Sequence, residues 1–284
     1  MATLLVGFDS AWTVHNTGAL VGILRSDDGE IQELGLPLAV NYREAEHAII
    51  EWQAHHAPAN TIVMLDQPTI VSNAAGQRPV ENLVGSPVGR RYGGMQPASR
   101  ARRDMFGADA PVWSFLARFG GPANPLGSFT GTRVLETYPV LTMIALGWTL
   151  NDSRPTGRLP KYNPNRRKTF SISDWRKVCQ LVSDAFREHG VPRLVDWLDE
   201  CALSSTVRKP DQDRLDACLC LLVALHLVEN QVCLMIGDLD TGFIVVPYGD
   251  HLSEELKTRC EQTGREPSEW LRSFRLTAGT GPNA

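Results

Sequence analysis

Paired cysteines are missing from this chain. Its six cysteines (Cys179, Cys201, Cys218, Cys220, Cys233 and Cys260) form no CxxC and no Cys–His ligand spacing, which excludes zinc-ribbon and thioredoxin-type chemistry. Cys218 and Cys220, two apart on an expected helix, point in different directions. Reduced core thiols are expected, as in a cytosolic protein. No basic n-region precedes the first apolar run, and Asp9 interrupts it, so no signal peptide is read. The longest apolar stretch, Ala217 to Leu225, falls far short of the roughly 18–20 residues that span a bilayer. A soluble, cytoplasmic protein with no membrane partner is expected. A net charge of −4 excludes general basicity, so affinity for nucleic acid would have to come from local patches. "GRRYGG" and "FGGPANPLG" are not P-loops, and Ser10 has no histidine at motif-like spacing to activate it. The chain shows no internal repeat or low-complexity tract.

What is present is an ordered series of apolar runs. "TLLVGFDS" (3–10) reads as a buried strand ending at Asp9. "TGALVGILR" (17–25) and "EIQELGLPL" (30–38) follow across short turns as an antiparallel meander. "NYREAEHAIIEWQAHH" (41–56) has helical spacing. "TIVMLDQP" (61–68) and "TRVLETYP" (132–139) are two further strands of one plan: apolar run, acid, proline. Helices are expected over about 140–149 and 171–188. Another starts near Asp211, a hairpin covers "VCLMIGDLDTGFIVVPY", and a helical tail ends in a frayed "TAGTGPNA". Residues 69–131 are rich in Gly, Pro, Ser and Arg and read as an irregular basic insertion. Residues 154–168 carry six basic residues and no acid.

The acids sit at telling places. Asp9, Asp66 and Glu136 each end a strand, and Asp213 and Asp216 stand at i and i+3 on one helix face. Parallel neighbouring strands bring their C-terminal ends to one sheet edge, where open α/β folds place their sites. Carboxylates gathered there repel one another unless divalent ions lie between them. An all-oxygen set without histidine selects Mg²⁺ or Mn²⁺. Two such ions about 4 Å apart clamp the attacking and leaving oxygens of a phosphoryl displacement. Nuclease chemistry is therefore expected.

The strand–acid pattern, the meander, the helix and the second acid-tipped strand resemble the ribonuclease-H-like plan. Asp213-Arg-Leu-Asp216-Ala217 resembles the last motif of Holliday-junction resolvases in that superfamily. More narrowly, "GFDSAW", "LDQP", "ETYP", "LPKYNP" and "DRLDA", in this order over about residues 4–247, resemble the DUF429 family of predicted nucleases. The resemblance implies an α/β, ribonuclease-H-like mixed sheet flanked by helices and a metal-dependent nuclease activity. It matches Asp9, Asp66, Asp213 and Asp216 to metal-binding acids and Glu136 to the family's E-x-x-P motif. Three positions depart from the family's pattern: Gln67 where a small hydrophobic residue is usual, Tyr138 where His is common, and Val140 where an acid often follows.

One domain is expected over 1–250, with the tail at 251–284. The expected catalytic set is Asp9, Asp66, Asp213, Asp216 and Glu136, with Mg²⁺ or Mn²⁺ on the four aspartates. Glu136 is open between a place at the site and an ion pair with an arginine of the insertion. Asp211 is read as a helix N-cap after Pro210. Arg90, Arg91, Arg102, Arg103 and Lys161 are the candidate phosphate contacts, with Arg166 and Arg167 beside them, for a DNA or RNA substrate. Trp12 is the one tryptophan placed for base stacking; the others read as core. Two other functions share the pattern: an ATP-using phosphotransferase of the actin-like type, and a non-catalytic nucleic-acid-binding module on the same scaffold.

Overall fold

The computed structural model describes residues 2–128 and 130–276. It opens with β1 (Ala2–Asp9), β2 (Gly18–Ser26), β3 (Ile31–Glu33) and β4 (Leu38–Val40). Next come α1 (Tyr42–His56), β5 (Asn60–Leu65), α2 (Pro79–Arg91), α3 (Arg103–Phe106) and α4 (Pro111–Arg118). The middle of the chain holds β6 (Gly131–Glu136), α5 (Pro139–Ala145), α6 (Ile172–Glu188), α7 (Pro192–Leu203) and α8 (Lys209–Val228). It closes with β7 (Cys233–Asp238), β8 (Gly242–Pro247), α9 (Asp250–Gln262), α10 (Pro267–Trp270) and β9 (Leu271–Phe274).

The main sheet runs β3-β2-β1-β5-β6, with β4 added to β2. β1 and β2 are antiparallel, whereas β5 and β6 both run parallel to β1. The fold is α/β with a mixed sheet. The run expected as one strand over 30–38 is split into β3 and β4, because Gly35 takes a left-handed φ of 137° between them. Helix α1 begins where Asn41 and Glu44 cap each other reciprocally, Asn41 Oδ1 accepting from the Glu44 N–H at 3.0 Å.

Side-chain alternation divides the sheet's two faces. Leu4, Val6, Phe8, Val63, Leu65 and Val134 point to one core with α1 and α4. Leu5, Ile62, Met64 and Leu135 point to the other, larger core, which α8 runs through. Helix α8 lies against β1, β2 and β5. It is buried nearly all round after its first turn, as a helix apolar on every face must be. Contact with β1 is backbone to backbone. A Cβ at Gly7 would stand 2.1 Å from the Ala217 carbonyl oxygen and 2.5 Å from the Leu221 nitrogen. Only glycine fits.

Residues 69–131 are not irregular throughout: they carry α2, α3 and α4. Pro79, Gly85, Pro87 and Gly89 hide α2 from propensity, but its Val80, Leu83, Val84 and Val88 are buried in the larger core. Tertiary packing overrides the local preference. The stretch after 250, expected as a helical tail, also contains a strand. β9 pairs antiparallel with β7, completing a second sheet in the order β8-β7-β9. The "TAGTGPNA" end lies outside the described residues. All six cysteines are free, and five are buried. None of the described helices is long and apolar enough to cross a membrane.

Candidate active site

Register places the first two acids. Phe8 pairs with Leu65 across the parallel β1–β5 ladder, so Asp9 and Asp66, the next residues, emerge side by side on the α8 face. The Asp66 N–H still donates to the Phe8 carbonyl at 2.9 Å, which extends the pairing to the site itself. Glu136 is out of phase with them. It pairs with Leu65 rather than with Asp66, so it leaves the sheet edge one position out of step with them while still bordering the same cleft.

Helix α8 supplies the other side. Asp211 is not the N-cap but the third helical residue, and its carboxylate accepts from the Arg208 N–H at 2.8 Å. The helix thus starts at Lys209, and Lys209, Asp213 and Asp216 fall on one stripe at i, i+4 and i+7. All three line a cleft of about 590 Å³ together with Asp9, Asp66, Glu136, Trp12, Tyr138, Tyr162 and Arg166. The four aspartates expected from the sequence therefore share one cleft.

Their environments differ. Asp216 accepts from Tyr162 Oη at 2.7 Å and from Gln212 Nε2 at 2.6 Å. Burial nonetheless pushes its carboxyl up to about 6, against the pull of Lys209 and these two donors. Asp9 is held well above the usual carboxylate range by burial first and then by the Asp66 charge. Asp66 is raised in the same direction by burial and by Asp216. Asp213 pairs with the Lys209 ammonium. This cluster carries more negative charge than its surroundings neutralise.

Among the described residues, no three Asp, Glu, His or Cys side chains are grouped as a metal site. The donor set is nevertheless oxygen throughout, and Asp9 and Asp66 are adjacent carboxylates, the Asp9 carboxyl raised in part by the Asp66 charge. Mg²⁺ is commonly held by one or two carboxylates and keeps several waters, so the adjacent pair fits such an ion.

Glu136 is committed elsewhere. Arg78 grips it in a two-pronged pair, Nη2–Oε1 at 2.6 Å and Nη1–Oε2 at 2.8 Å, and the Thr69 N–H adds a third bond at 3.0 Å. Arg78 Nε also holds Glu81 at 2.8 Å. Of the two roles open to it, Glu136 takes the ion pair with an arginine of the 69–131 segment. That corrects its expected place in the catalytic set.

Gln67 explains one departure from the family pattern. Its Oε1 accepts from Ser10 Oγ at 2.5 Å and from Tyr42 Oη, which ties the end of β1 to the end of β5 beneath the acids. At the mouth, Trp12 adopts a left-handed φ of 61°, an outlier for a bulky residue, and packs edge-on against Phe106 with centroids 5.9 Å apart.

The expected phosphate contacts fare less well. Arg90 and Arg91 both turn to Glu255 on α9, at 3.2 Å and 2.8 Å, and neither lines the cleft. Arg102 is exposed away from it, and Arg103 borders a separate hollow with Thr13 and His15. Lys161 donates to the Tyr92 carbonyl and is likewise absent from the cleft wall. The cations that do line it are Arg78, committed to Glu136 and Glu81, Arg166, stacked 4.6 Å from the Tyr92 ring, and Lys209. Sequence reasoning missed Lys209 and Tyr162. A signal existed for the lysine: it stands four residues before Asp213, the spacing of a helical ion pair. Tyr162 lies next to Lys161 in the same "LPKYNP" motif and is the residue of that motif that reaches an acid.

Comparison with known proteins comes to one finding. Residues 7–240 match a family model described as "Protein of unknown function (DUF429)". No curated protein and no solved structure matches the chain.

Proposed function

The chain belongs to the DUF429 family, and from the chemistry of its cleft we propose that it is a divalent-metal-dependent nuclease built on a ribonuclease-H-like scaffold. The observation that carries this reading is the convergence of Asp9, Asp66, Asp213 and Asp216 in one cleft from β1, the end of β5 and α8. Burying uncompensated carboxylates is costly. A fold that gathers them has a use for the resulting field.

Asp9 and Asp66 would hold Mg²⁺ or Mn²⁺, which supplies charge neutralisation at a phosphoryl oxygen and eases ionisation of water. Arg166, planar and always charged, offers a forked contact to the phosphate at the rim. Asp216 is the carboxylate fixed by two donors, Tyr162 and Gln212. It is oriented to accept the proton of the attacking water. Trp12 stands where an unpaired base would stack. Buried Tyr162 and half-buried Tyr138 close the wall behind the acids and limit the entry of bulk water.

The test is Asp9→Asn, assayed on end-labelled single-stranded, duplex and branched oligonucleotides with Mn²⁺. Cleavage should fall by about 100-fold or more, the scale of losing one electrostatic element of a catalytic site, with an unchanged circular-dichroism spectrum. A variant that cuts as fast as the wild type would overturn the assignment. Calorimetry with ATP on the same sample checks the phosphotransferase alternative.

A further inference from the structure

Metal pairs are the usual device for neutralising a carboxylate cluster during phosphoryl transfer, yet this cleft already contains a cation of its own. Lys209 projects from the first turn of α8 into the group of acids, and its ammonium is bonded to Asp213. Asp9 from β1 and Asp66 from the end of β5 line the same cleft as this ammonium. Of the other two lining cations, Arg166 is engaged with the Tyr92 ring and carbonyl and Arg78 with Glu136 and Glu81. The remaining acids that line the cleft, Glu81 and Glu136, are gripped by Arg78.

We propose that Lys209 is a built-in counter-ion that occupies the place of one of the two divalent ions, so that the site takes up a single Mg²⁺ or Mn²⁺ on the side of Asp9 and Asp66. The inference rests on the metal-dependent reading above and sharpens it. An ammonium and a hard divalent ion compete for the same carboxylate oxygens. Lys209 acts through the carboxylates it orders, as a positioning residue. Asp213 accordingly serves the lysine rather than the ion.

Equilibrium dialysis with Mn²⁺ alone tests this, using the wild type, Lys209→Gln and Lys209→Arg. The Lys209 side chain is 41% exposed, so the glutamine fits without repacking. The wild type should bind one Mn²⁺ per chain. Lys209→Gln should bind a second ion, or bind the first roughly tenfold more tightly or better, since a nearby charge is worth at least that much in a shielded cleft. Lys209→Arg keeps the charge and should retain the wild-type stoichiometry; a merely structural role would not separate the two variants in this way. Two ions in the wild type, with Lys209→Gln unchanged or weaker, would overturn the inference and leave the nuclease reading standing. No Mn²⁺ uptake by either the wild type or the glutamine variant would overturn the metal-dependent reading and this inference with it.

Discussion

Two buried ionic assemblies lie within one cleft wall, and they are balanced differently. In the first, Arg78 holds Glu136 and Glu81, and backbone donors from Thr69 and Ala98 satisfy the carboxylates' remaining oxygens. Each polar atom there has a use inside the protein. In the second, Asp9, Asp66, Asp213 and Asp216 share Lys209. Burial and repulsion raise the carboxyls of Asp9, Asp66 and Asp216 beyond what the donors at hand offset. A fully bonded network fixes structure. An under-neutralised one holds a field in reserve, and fields of that kind gather at functional sites.

Removing the hub of the balanced assembly should break the contrast most severely. Arg78→Met leaves Glu81 and Glu136 buried without their partner, a loss of about 3–5 kcal/mol in urea unfolding. The 69–131 segment should loosen with it, because Arg78 also ties the Ile70 carbonyl at 3.1 Å.

The opposite sign is expected in the other assembly. Asp66→Asn removes a repelled charge, so the metal-free protein should melt a few degrees higher than the wild type in EDTA at pH 7.5, while Mn²⁺ no longer stabilises it. The pH profile follows the same logic. An acid whose carboxyl is raised on folding binds its proton more tightly in the folded state, so it weakens the fold at neutral pH. For Asp216 that penalty is relieved as pH falls from about 6 toward the ordinary 3.8. Thermal melts in EDTA should therefore rise over that window, and less steeply in Asp66→Asn, which removes its own raised carboxyl. A melt that falls steadily from pH 7 to pH 5 would show that the cluster is not under-neutralised.

The smallest effect belongs to a pair outside both assemblies. Arg90 is half exposed and meets Glu255 at 3.2 Å, so Arg90→Ala should cost at most about 1 kcal/mol. Cleavage in the oligonucleotide assay should be unchanged, because its side chain does not border the cleft.

The acids of this site were legible because an apolar run ending in a carboxylate is a local pattern, and parallel register converts it into spatial convergence. Glu136 shows the limit of that reading. It ends its strand as Asp9 does, but a shift of one residue in pairing turns it to Arg78, and pairing register is invisible in composition. Helix α2 was illegible because its glycines and prolines argue against the helix that its buried valines stabilise. The basic loops misled for a different reason. An arginine's charge is written in the sequence but its partner is not, and Arg90 finds Glu255 far along the chain. Lys209 was readable only from its spacing to Asp213, because Pro210 beside it reads as the end of a loop and not as the first turn of α8. The second sheet was half visible: the β7–β8 hairpin was expected, while β9 is too short to announce itself.

Gly7 has a consequence for motion. With no side chain between β1 and α8 at that point, main chain rests on main chain two residues before Asp9 and beside the turn that carries Asp216. The spacing of the backbones that carry Asp9 and Asp216 is thus set by main-chain contact instead of by side chains packed between them. Such a joint does not hinge, so the acids stay in place when a ligand arrives and adjustment falls to the outer walls, where Trp12, Tyr92 and Arg166 sit on loops.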